Sequence, residues 1–160
     1  MKRIRLMLTM VALCVSMVAA ADLYEPKFSQ TAGWEDFDYF YLSPKMLAMM
    51  PDGGMSKELY GLSNGKLKLV EVVRTKWNGK KKELTNIVEN LVKEKGMERI
   101  SFQKKNNVTF IWYVDGDDKG NVKRILVIRK KSWDDNFKAI YMVGNLTTED
   151  IKTMFEAANK

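Results

Sequence analysis

The stretch Arg74-Thr75-Lys76-Trp77-Asn78-Gly79-Lys80-Lys81-Lys82 sets the densest basic charge of the chain around one aromatic side chain. An indole face can stack on a sugar ring, and ammonium groups beside it can pair with anionic substituents, so Trp77, Lys80, Lys81 and Lys82 are the candidate ligand-binding residues. The plain alternative is a solvated run of loop lysines. A second cluster, Asp115-Gly116-Asp117-Asp118-Lys119-Gly120-Asn121, gathers carboxylates as a calcium loop does. An EF-hand requires an oxygen ligand where Lys119 stands and a bidentate glutamate where Leu126 stands, so this stretch reads as a strand reversal. Ser63-Asn64-Gly65-Lys66 matches the Ser-x-x-Lys pattern of penicillin-recognising enzymes, but here it falls on an Asn-Gly turn without the companion motifs. Carboxylate pairs that could hydrolyse glycosides exist only as sequence neighbours: Glu35, Asp36 and Asp38, then Asp134 and Asp135. Trp133, beside the latter pair, is a second candidate stacking residue, although packing over a hairpin edge is the simpler reading.

Composition removes much other chemistry. The chain has no histidine and one cysteine, Cys14. Imidazole bases, Ser-His-Asp triads and ordinary zinc or copper sites are therefore not available, and no cofactor is implied. Lys2, Arg3 and Arg5 open the chain, an apolar run follows from Leu6 to Val18, and Ala19-Ala20-Ala21 precedes Asp22. That is the form of a secretory signal peptide, cleaved after Ala20 or Ala21. Residues 1–21 are the expected signal and 22–160 a single exported domain, periplasmic or secreted. Leu13 stands where a lipid-anchored precursor needs a small residue, so Cys14 reads as part of the apolar run and no lipid anchor is expected. Removing the three basic residues of the signal lowers the formal charge from +7 to +4, an ordinary value that gives no case for nucleic acid. No membrane span is expected after residue 21.

These residues need a scaffold. Phe37–Leu42 reads as an aromatic strand, and Ser43-Pro44 then opens a helix with Met46, Leu47 and Met50 as its buried stripe. A further helical turn is expected over Ser56–Leu62. Leu67–Thr75 is a strand. Leu84, Ile87, Val88, Leu91 and Val92 mark an amphipathic helix that stops at Gly96. Strands follow at Glu98–Gln103, Val108–Val114, Ile125–Ile128 and Phe137–Val143. Ile125–Ile128 is apolar on both faces, which places it centrally. Thr147 and Asp150 form a capping box for the last helix, with Leu146 stapled onto Ile151. Asp22–Trp34 has no period and reads as a loosely held lead-in. The fold expected is α+β: a two-layer domain with an antiparallel or mixed sheet of five to six strands and about three helices on one face.

Tyr41-Leu42-Ser43-Pro44-Lys45-Met46-Leu47 and Tyr141-Met142-Val143-Gly144-Asn145-Leu146, behind a signal sequence, resemble a family of small exported Bacteroidetes proteins classed as a domain of unknown function. The resemblance implies a cell-envelope location and carries over no catalytic residue. The reading is a non-catalytic binding or structural domain with an envelope protein or glycan as partner. The alternatives are a glycan or peptidoglycan-fragment binder using Trp77 and Lys80–Lys82, and a minimal carboxylate-dependent hydrolase.

Overall fold

Six apolar-patterned segments pair into one antiparallel sheet in the computed structural model, which describes residues 24–49, 66–76, 80–105, 107–131 and 137–158. The strands are β1 (Phe37–Leu42), β2 (Leu67–Thr75), β3 (Glu98–Lys105), β4 (Val108–Gly116), β5 (Asn121–Lys131) and β6 (Phe137–Thr147). Their order across the sheet is β1-β2-β6-β5-β4-β3. The helices are α1 (Pro44–Met49), α2 (Lys81–Glu94) and α3 (Thr148–Ala158). β1 and β2 have the bounds that the sequence predicts. Met50–Gly65, Trp77–Gly79 and Ser132–Asn136 lie outside the described residues, and with them the expected turn at Ser56–Leu62, the Ser-x-x-Lys match, Trp77, Trp133, Asp134 and Asp135. The expected signal sequence, residues 1–21, lies outside them too.

The helix ends follow their local chemistry. Ser43 Oγ accepts from the Met46 N–H at 3.2 Å, capping α1. Gly96 takes φ 60° just after α2, and the Met97 N–H donates back to the Val92 carbonyl, closing the last turn. Thr147 and Asp150 form the reciprocal capping box: the Thr147 N–H donates to Asp150 Oδ2 at 2.8 Å, and the Asp150 N–H donates to Thr147 Oγ1 at 3.3 Å. Leu146 and Ile151 are buried in one cluster, as the staple requires.

The helices divide between the two faces of the sheet, so the expected one-sided arrangement is wrong. Leu84, Val88 and Leu91 of α2 pack with Leu69, Val73, Ala139, Tyr141 and Ile128. Leu47 of α1 and Ile151 and Met154 of α3 pack with Val70, Ile125, Val127, Met142 and Trp112. Successive residues of a strand point to opposite faces, so these sets belong to opposite sides. A sheet whose central strand is apolar on both sides must be covered on both. α2 also carries the chain from β2, near one edge, to β3 at the other, and so spans the face it covers.

Two further expectations fail. The lead-in is firmly held: Phe28 is fully buried and meets the Tyr141 ring edge-on, with centroids 6.2 Å apart. The Lys27 and Phe28 N–H groups both donate to the carboxylate of Glu71, at 2.6 and 3.0 Å. In α1 only Leu47 is buried, while Met46 and Met49 are exposed, because so short a helix turns a single residue inward.

Candidate functional site

Of the predicted basic site, Trp77 lies outside the described residues, and Lys80 is matched by neighbouring acids. Lys80 Nζ donates to Glu83 Oε2 at 3.0 Å and lies 3.9 Å from Asp36, and these acids raise its pKa. Arg74 is ion-paired with Asp38, which Lys76 also approaches at 3.3 Å. Lys81 is half-buried on α2 and Lys82 is exposed. Part of the charge in this stretch is therefore matched within the protein, and Asp36 and Asp38 serve as counter-ions to it.

The acidic stretch is a hairpin turn between β4 and β5. Asp117 Oδ1 accepts from the Lys119 and Asn121 N–H groups, both at 3.0 Å, and the Asn121 side chain donates to Oδ2 at 2.9 Å. The Asn121 side chain first, then these backbone donors, hold the Asp117 carboxyl below its ordinary pKa. Asp115 faces Arg124 in an ion pair. These carboxylates hold the turn, and among the described residues no three acids lie close enough to share a metal.

That turn forms one wall of an open groove. The Thr148 N–H donates to the Gly120 carbonyl at 3.1 Å, pinning the hairpin to the start of α3. Gly120 has φ +80°, and a Cβ there would sit 3.1 Å from Thr148 Oγ1. Gly120→Ala should therefore lower stability by about 1–2 kcal/mol, the cost of a left-handed alanine, measured by urea denaturation. Between this hairpin, α3 and β3 runs an open groove of about 520 Å³. A second hollow, beside α2, holds about 140 Å³. Small-ligand sites usually offer about 300–1,000 Å³, so of these two hollows among the described residues the groove is the one large enough.

Val114, Val122, Ile151 and Phe155 supply the apolar lining. Ile100 joins them from β3, where it is 48 % exposed. A register shift between Arg99 and Ser101 makes Ile100 the extra residue of a bulge opposite Trp112, so Ile100 and Ser101 share the groove side. Glu98, Asp117 and Asp118 mark the rim as acidic, with Lys152 as the cation among them. On the other face of β3, Phe102 is 58 % exposed.

Sequence reading missed this groove because its residues come from four separate elements. The one local signal was an exposed strand edge with large apolar residues at Ile100 and Phe102. Glu98 and the turn acids form a rim, and nothing in their bonding pairs two of them about a common reacting point.

Among the described residues no helix is long and apolar enough to cross a membrane. Comparison with curated proteins found no match, and comparison with solved structures found none. A family model matches residues 28–154, from the buried Phe28 through Met154 of α3, which takes in the described strands and the groove's named lining except Phe155. The chain belongs to that family, described as Domain of unknown function (DUF4252).

Proposed function

We propose that this is an exported, non-catalytic protein-binding domain of the Bacteroidetes cell envelope, residues 22–160 after loss of the signal. Its docking surface is the outer edge of β3 with the adjoining groove. The observation that carries the reading is the exposed pair Ile100 and Phe102 on a terminal strand that pairs, among the described residues, only with β4. Exposed strand edges with large apolar side chains are invitations to pairing, and a protein keeps one open where a partner uses it. Glycan binding through Trp77 and Lys80–Lys82 is the competing reading, supported by the exposure of Lys82.

The test is site-specific photocrosslinking in the native host. A photoreactive residue at position 100 should give one discrete protein adduct in the envelope fraction, and the same residue at Asn90, on exposed α2 surface, should not. The purified protein should begin at Ala21 or Asp22. A chain starting at a lipid-modified Cys14 would overturn the export route proposed. Absence of an adduct at 100, or a glycan-bearing adduct at 82 alone, would overturn the docking surface.

A further inference from the structure

Resting on that protein-binding reading, we infer that the groove takes the apolar side chain of an extended, basic segment of a partner polypeptide laid along β3. Three observations converge. The outer edge of β3 offers main-chain donors and acceptors along Glu98–Lys105, the geometry that strand addition uses. The bulge turns Ile100 into the groove beside Val114, Val122, Ile151 and Phe155, so a large side chain arriving next to β3 meets an apolar wall. The rim sets Glu98, Asp117 and Asp118 against one lysine, an acidic island on a chain whose formal charge is positive. Lysine or arginine two residues from the apolar anchor, and so on the groove face and away from Arg99 and Lys104, would complete that charge pattern.

A second copy of this chain fits the same edge poorly. Two β3 strands paired antiparallel about Phe102, with Ile100 left out as the bulge, would set Arg99 of each against Lys104 of the other, offsetting the attraction of Glu98 for Lys105 in the same register. Like charges directly opposite one another destabilise a strand pair.

The probes are short synthetic peptides offered to the mature protein: lysine and valine alternating, with phenylalanine in place of the central lysine so that anchor and lysines share a face; the same peptide with glutamate for lysine; and a lysine–serine peptide without the apolar anchor. Fluorescence anisotropy should show the first binding at least about tenfold more tightly than the other two, with affinity falling as salt rises. Ile100→Asp should abolish that binding while the thermal melt stays near wild type. Asp118→Lys, on the exposed turn, should weaken the lysine peptide and strengthen the glutamate one, and this variant decides the matter should Ile100→Asp fail to fold. Equal binding of the lysine and glutamate peptides, or an unchanged ratio in Asp118→Lys, would overturn the inference. So would a wild-type dimer that Ile100→Asp dissociates, because the edge would then serve self-association. An adduct at position 100 in the envelope, with no peptide bound, would sink this inference and leave the protein-binding reading standing.

Discussion

Replacing Glu71 by alanine should destabilise the protein by about 3–5 kcal/mol, since each buried donor left without an acceptor costs about 1–3 kcal/mol. Glu71 is fully buried on β2, and its carboxylate accepts the Lys27 and Phe28 N–H groups and the Tyr39 hydroxyl, the last at 2.8 Å. Alanine would leave all three donors without that acceptor and open a cavity beneath the lead-in. Urea denaturation measures the loss, and limited proteolysis near Lys27 should show the lead-in released first. Glutamine separates charge from shape. Burial raises the Glu71 pKa, against the pull of the Lys27 N–H, the Tyr39 hydroxyl and the Phe28 N–H, which lower it. A carboxyl with a raised folded pKa contributes most below its ordinary pKa, and that contribution is lost as pH rises through the folded value. Asp38 behaves oppositely: the Arg74 hydrogen bond leads in holding its pKa down, so its contribution disappears as pH falls. The stability of wild type relative to Glu71→Gln should therefore decline with rising pH above the ordinary glutamate range. A flat difference would mean that Glu71 is not titrating in a buried site.

Trp112→Ala should cost a similar amount, about 3–5 kcal/mol, as expected for truncating a large buried aromatic. Trp112 is 4 % exposed on β4, packs edge-on against Phe155 of α3 at 5.6 Å, and supports the face that α1 and α3 cover. Domains of this size are stable by only about 5–15 kcal/mol, so either substitution removes a large share of the total. Phe155 also lines the groove, so Trp112→Ala should loosen α3 and weaken binding of the lysine–phenylalanine peptide even below its melting temperature. A small shift in the urea midpoint with unchanged binding would show that α3 is held without this contact.

Strands and caps were legible because their signals are local. Alternation set the faces of Val108–Val114, and Thr147 with Asp150 announced the last helix within four residues. The layer count was not read correctly, although the information was present: Ile125–Ile128, apolar on both sides, already required cover on both. The lead-in was misread because its order comes from Glu71, 43 residues beyond Phe28 in sequence, and no window along the chain contains that bond. The groove was invisible for the same reason, since Ile100, Val122 and Phe155 meet only across the completed sheet. The basic stretch read clearly as charge, but its partners Asp36 and Asp38 lay in another segment.

The strand order has a consequence for when the chain can become itself. β6, the last strand to be synthesised, lies between β2 and β5, so the β1–β2 hairpin and the β3–β4–β5 meander have no strand joining them until it arrives. A nascent chain ending before Phe137 holds two incomplete half-sheets, each with an apolar edge facing the gap. Premature folding is thus denied by connectivity, and the pairing that closes the gap is long-range and correspondingly slow. Under the export route proposed above, this delay would keep the chain free of a tertiary structure able to jam a translocation pore until its last described strand is released.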